Sequence, residues 1–263
     1  MSRNGGQLKG QSFFETMQRY KIKIAYDGTL YCGFQRQQSD PTIQKALEES
    51  LAHLDQAFVQ VVGASRTDAK VHAMGQIAHF DLATVRDSLS ILKAINARLP
   101  KEIRVLSVEP VSPDFHARFH AKKKVYTYTL STAFQQSPFH RFHTLHFPHK
   151  LDLSRLDLGC QILKGTHDFK QFANTTTEKN RPPSTVRTLF DLSYEIENEF
   201  LILKFSGDGF LYNMVRNLAG ALLETAQNRL SLETLSHLLG PSILERSFTT
   251  MPAHALCLEE IFY

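Results

Sequence analysis

Asp68 sits at the centre of the stretch Gly63-Ala64-Ser65-Arg66-Thr67-Asp68-Ala69-Lys70-Val71-His72-Ala73-Met74-Gly75-Gln76, with Arg66 and Lys70 two positions to either side. Nearby cations favour the ionised form of a carboxylate, and an ionised carboxylate can attack an electrophilic carbon, as in glycosyl chemistry. The competing reading is a turn aspartate that caps its own backbone, which describes most loop Asp residues. Length speaks for chemistry. A hairpin needs about two to five loop residues, whereas about a dozen separate the apolar run Val59–Val62 from the alternating run Gln76–Asp81. A loop that long inside a compact domain is more often functional than idle.

Other residue groups carry weaker signals. His116 to Lys124 holds Arg118, Lys122, Lys123 and Lys124 just ahead of Tyr126. Such a run is usually a solvated face, but beside a tyrosine-bearing strand it also suits an RNA backbone groove with a stacking platform. His140, His143, His146 and His149 recur every third residue. Helical metal pairs favour i, i+4, and no Cys or acidic ligand accompanies the run, so a surface loop and no metal is the better reading.

The elements that must position these groups follow from periodicity. Lys21–Tyr26 alternates into a strand, and Asp27-Gly28-Thr29 signals a turn. Ser39-Asp40-Pro41 predicts a helix start, with Ile43, Leu47, Leu51, Leu54 and Phe58 on its buried face. A second helix is predicted over 85–97, with Leu89, Leu92 and Ile95 inward, and a strand over 103–108. The later chain reads as a strand over 125–130, a polar insert over 132–150 and a helix ending at Gly165. A long polar connection then runs to Ser184, followed by strands over 186–196 and 200–205. A helix over 210–226, a short one over 231–239 and a strand over 256–262 complete it. Each half therefore reads β-α-β-β-α-β, the ferredoxin-like unit that also frames RNA-recognition modules. The expected fold class is α+β: two such halves, with mainly antiparallel sheets abutting at a central cleft. Residues 1–18 read as a polar tail, 19–113 as the first half and 114–263 as the second.

Composition bounds the rest. The 263 residues are 42% hydrophobic and 21% charged, ordinary for a soluble globular protein. No apolar run reaches the ~18 residues of a membrane span and the N-terminus lacks a signal-peptide core. The odd, scattered cysteines Cys32, Cys160 and Cys257 favour a reducing cytoplasm over a disulfide framework. A net charge of +4 is compatible with a polyanionic partner without demanding one.

Five blocks in order carry a resemblance to a known family. They are Tyr26-Asp27-Gly28-Thr29 with Gly33-Phe34-Gln35-Arg36-Gln37; the Asp68 loop; Asp114-Phe115-His116-Ala117-Arg118-Phe119 with Tyr126 and Tyr128; Gly209-Phe210-Leu211-Tyr212-Asn213-Met214-Val215-Arg216-Asn217; and Pro252-Ala253-His254-Ala255-Leu256 with Leu258. Together they resemble the tRNA pseudouridine synthase A family over about residues 20–263. The resemblance implies isomerisation of uridine to pseudouridine at positions 38, 39 and 40 of the tRNA anticodon stem–loop, without a cofactor, by a homodimer. It implies Asp68 as nucleophile, Arg216 as its ionic partner, and Arg66 as a residue that holds the RNA and the flipped base. Tyr126 would stack on the base and is a candidate in the proton-transfer step; Leu256 would form the apolar wall of the pocket. Lys122, Lys123 and Lys124 are the expected RNA-backbone contacts. Lys70 and Ser65 stand where the family commonly has Gly, Phe34 where it has Trp, and Ala255 where it has Gly. Two rivals are a catalytically silent RNA-binding module, which would need an aromatic RNP1 strand not found here, and a carboxylate hydrolase. The hydrolase needs a second acidic group, for which only Asp208 and Glu224 offer themselves.

Overall fold

Ten strands join into one sheet. The computed structural model describes residues 17–174, 184–240 and 247–263; most of the expected tail and part of the connection before Ser184 lie outside these. In chain order the elements are β1 (Gln18–Tyr26), α1 (Ile43–Asp55), β2 (Val62–Gly63), β3 (His72–Leu82), α2 (Ser88–Asn96) and β4 (Ile103–Val111). They continue with β5 (Lys123–Ser131), β6 (Leu145–His146), α3 (Leu153–Leu163), β7 (Gly165–Asp168), β8 (Val186–Glu197) and β9 (Phe200–Gly207). The last are α4 (Met214–Ala226), α5 (Leu232–His237) and β10 (Leu256–Phe262).

Both halves repeat one order. Fourth, first, third and second strands lie side by side as β4-β1-β3-β2 and as β10-β5-β9-β8, with β7 added beside β8. The two sheets expected to abut are instead fused edge to edge. Cys257 and Leu258 of β10 pair in parallel with His72 and Ala73 of β3, while the other side of β10 pairs antiparallel with β5. A parallel contact between remote strands leaves no local periodicity to read, which is why the sequence shows two sheets. Every other long pairing is antiparallel.

Several boundaries move, each for a local reason. Helix α1 starts at Ile43, not at Pro41, because Thr42 is its cap and accepts a hydrogen bond from the Lys45 amide. Its apolar stripe ends with Leu54, and Phe58 beyond the helix is exposed. In α2, capped by Asp87, Ile91 and Ile95 face the core and Leu89 faces out. Pro110 lies within β4, tolerated because β4 is an edge strand. The polar connection after Gly165 opens with β7, paired to β8. Val59 and Val61 are buried, but the strand there shrinks to Val62–Gly63. Since β3 begins at His72 and not near Gln76, the loop around Asp68 is residues 64–71.

Candidate active site

The loop of residues 64–71 is held at both ends and in its middle. Gln76, fully buried in β3, donates to the Ser65 carbonyl at 2.7 Å and accepts from the Ser65 amide at 3.2 Å. The Thr67 hydroxyl meets the Tyr26 hydroxyl at 2.8 Å. The segment after β1 braces the outer side: the Phe34 amide donates to the Thr67 carbonyl and the Lys70 amide to the Tyr31 carbonyl. Two glycines make this approach possible. A Cβ on Gly28 would lie 2.0 Å from the Val71 carbonyl oxygen, and one on Gly33, at φ +98, would lie 2.6 Å from that of Thr67. The Asp27–Gln37 block is thus the bed on which the Asp68 loop lies.

The remaining groups come from the other half. Arg216, in the first turn of α4, points its guanidinium at Asp68, with Nη1 3.4 Å from Oδ2. Its Nε donates to the Met251 carbonyl at 2.6 Å and its Nη1 to the Asn213 side chain at 2.8 Å. Asn213 caps α4 in the left-handed conformation, φ 59, and makes no side-chain cap bond. Its side chain holds the arginine instead, forgoing about 1 kcal/mol of helix capping. Tyr126 stands on β5 with its ring edge-on to Phe210 at 5.2 Å and its hydroxyl 2.7 Å from the Ser65 hydroxyl. Leu256, buried at the start of β10, pairs with Tyr128 and faces the same space.

Asp68, Arg66, Tyr126, Leu256 and Lys124 all line one cleft of about 620 Å³, within the usual range for ligand pockets. Arg216 reaches it through Asp68. Among the cleft-lining residues Asp68 is the only acid. Asp208 instead accepts from the Thr188 amide, and Glu224 faces Arg229, so neither candidate for the second carboxylate of a hydrolase lines the cleft.

Electrostatics depart from the expectation drawn from the loop. Burial pushes the Asp68 carboxyl above the usual carboxylate range, and Arg216 pulls it part of the way back. The cation that matters is therefore Arg216, not the flanking Arg66 and Lys70. Lys70 adopts φ 67, a left-handed conformation that costs a non-glycine residue about 1–2 kcal/mol. Burial also raises the Tyr126 phenol well above its ordinary value, with the Ser65 hydrogen bond opposing and the Asp68 charge adding to the rise. Tyr126 thus stays protonated at neutral pH.

The lysine run divides. Alternation along β5 puts Lys124 on the face of Tyr126, where its Nζ donates to the Ala64 carbonyl at 2.7 Å. Lys123 turns the other way, its Nζ 3.8 Å from the Phe262 ring centre, and Lys122 is exposed ahead of the strand. Neither lines the cleft. Sequence reasoning missed Ser65 as the partner of Tyr126, and missed Phe210 and Arg187 as cleft walls. Ser65 and Phe210 had a signal, as parts of recognised blocks; Arg187 had none.

The histidine run also disperses: His140 packs on Phe200, His146 meets the Ala133 carbonyl and His149 packs on Phe147. His143 joins Asp27 and His72 in a cluster whose candidate ligand atoms lie within 4.8 Å of one another. His72 is already committed to the fold: Nδ1 takes the Gly28 amide at 3.1 Å and Nε2 faces the carbonyls of Phe142 and His254.

With this geometry in place, comparison with known proteins is specific. A family described as tRNA pseudouridine synthase matches residues 22–120 and 160–263. The chain is 38% identical over 248 residues to a tRNA pseudouridine synthase A 1 of Protochlamydia amoebophila, covering 94% of this chain and 97% of that one. It is 39% identical over 251 residues to a tRNA pseudouridine synthase A of Streptococcus uberis, covering 94% and 99%. A third relative of the same description, from Streptococcus equi, is 38% identical over 248 residues, covering 94% and 99%.

Proposed function

This chain belongs to the tRNA pseudouridine synthase family, and on that premise we propose how its residues divide the reaction. The enzyme isomerises uridine in tRNA to pseudouridine: the C1′–N1 glycosidic bond breaks, a C1′–C5 bond forms, N1 gains a proton and C5 loses one. The exchange is internally balanced and calls for no oxidant, reductant or group donor.

Asp68 is the covalent nucleophile, acting on either the sugar or the uracil ring. The single observation that carries this is its place as the lone carboxylate among the described cleft-lining residues, held 3.4 Å from an arginine that is itself fixed from two sides. Arg216 keeps enough of the buried carboxyl ionised to react. The target uridine leaves its stack, at a cost of a few kcal/mol, and its base is received between Tyr126 and Leu256. Because the Tyr126 phenol stays protonated, it serves as stacking platform and hydrogen-bond donor in the resting enzyme. A water, or Tyr126 only after losing its own proton, takes the proton from C5. Arg66, on the cleft wall, helps hold the RNA and the extruded base.

The substrate positions are uridines 38, 39 and 40 of the anticodon stem–loop, and the working form is a cytoplasmic homodimer whose two subunits share one tRNA. The likeness to named relatives over nearly their whole length supports this reading. The rival of a silent RNA-binding module leaves the Asp68–Arg216 pair without a purpose.

The test uses tRNA tritiated at uridine C5. The protein should release tritium, and Asp68→Asn should lower release by at least about 10³-fold, the scale of losing a nucleophile, while retaining tRNA binding. No release by the folded parent protein rejects the synthase reading. Full turnover by the Asp68→Asn protein rejects Asp68 as nucleophile.

A further inference from the structure

Three cations share one wall of the cleft: Lys124 on β5, Arg118 ahead of it, and Arg187 on β8. They come from separate segments, and each is spoken for only lightly. The Lys124 ammonium uses one donor, on the Ala64 carbonyl at 2.7 Å. Arg187 donates through Nη1 to the Ser184 and Val186 carbonyls at 3.0 and 2.5 Å, and Arg118 lies 5.8 Å from the Phe119 ring centre. Among the described residues no carboxylate pairs with any of the three. The Lys124 ammonium is pushed down to about 8, chiefly by burial and further by the charges of Arg118 and Arg187.

A largely buried ammonium beside two guanidinium groups, with no carboxylate partner among the described residues, is unfavourable in the free protein. An incoming anion relieves both the desolvation and the mutual repulsion, and the three side chains already line the cleft it would enter. We propose that Lys124, Arg118 and Arg187 form a phosphodiester subsite that seats the backbone of the extruded nucleotide. This deepens the tRNA reading and rests on it. The position fits the role. Lys124 precedes Tyr126 by two residues on the same strand face, a span of about 7 Å, comparable to the reach from a nucleobase to its own phosphate. The Ala64 carbonyl on which Lys124 rests begins the loop that carries Asp68, so a phosphate docked here is registered directly against the nucleophile. Lys122 and Lys123, neighbours in sequence, fall outside the subsite because strand alternation and the Phe262 ring take them elsewhere.

The experiment measures tRNA affinity as a function of salt in the Asp68→Asn protein, which binds without turning over. Adding Lys124→Met should flatten the slope of log affinity against log salt by about 0.7–0.9 for each phosphate that is no longer neutralised. Arg187→Gln should flatten it similarly, Lys124→Arg should restore the parental slope, and Lys122→Met should leave it unchanged. A parental slope in both the Lys124→Met and Arg187→Gln proteins overturns the proposal, as does an equal flattening by Lys122→Met. Failure of the synthase reading would show separately, as absence of tritium release by the unsubstituted enzyme.

Discussion

The two halves place the same strands in the same order, yet they treat the connection between second and third strands in opposite ways. In the second half β8 runs for twelve residues and turns into β9 through Asn198 and Glu199 alone. Asn198 takes φ 55, as a tight hairpin turn requires. In the first half β2 is only two residues long, and residues 64–71 form the loop that carries Asp68. One half closes the ladder; the other opens it into a reactive loop. The closed half then supplies what the open loop lacks: Arg216, Tyr126, Leu256 and Lys124. The shared order of strands thus puts the Asp68 carboxylate and its arginine partner on different halves, so either can change while the scaffold stays fixed.

Breaking the division should have its largest effect at Arg216. Arg216→Met should lower kcat by about 10²–10³-fold, the scale of losing a preorganised charge at a reacting centre. It should also move the acid limb of the pH–rate profile. Burial already raises the Asp68 carboxyl and Arg216 opposes the rise, and the reactive form is the ionised one. Activity in the parent enzyme should therefore fall with acidification at a pH above the ordinary aspartate value of about 3.9, and at a still higher pH in the variant. An unmoved acid limb would detach the second half from the chemistry. A smaller effect tests the closed turn: Asn198→Ala should cost about 1 kcal/mol in denaturant unfolding and leave tritium release unchanged. A kinetic effect there would mean that the hairpin shares in the site. Smallest is Lys70→Gly, which relieves the left-handed strain but adds chain entropy on unfolding, for a net gain of about 0.5–1 kcal/mol. Loss of stability there would show that the Lys70 side chain holds the open loop in place.

The sequence discloses what local periodicity encodes. β10 runs over the predicted residues, and β8 and β9 extend theirs by one or two, because alternation and flanking turns mark them. The Asp68 loop is recognisable from its length and its flanking motif. Helix starts are less legible: Thr42 rather than Asp40 caps α1, its extended backbone letting the hydroxyl accept from the Lys45 amide. The partner of Asp68 cannot be read from its neighbours, since Arg216 lies 148 residues away and only the family likeness points to it. The division of the lysine run is legible in parity alone: Lys124 shares the even parity of Tyr126 and Tyr128, and Lys123 does not.

The seating of β10 between β3 and β5 also sets an order of events during synthesis. This strand leaves the ribosome after every other described element, and without it the two halves share no ladder among the described residues. Leu256 and the Met251 carbonyl that steers Arg216 arrive with the same late segment. Contacts of such long sequence separation form slowly. The cleft therefore depends on the pairing with the longest sequence separation in the sheet.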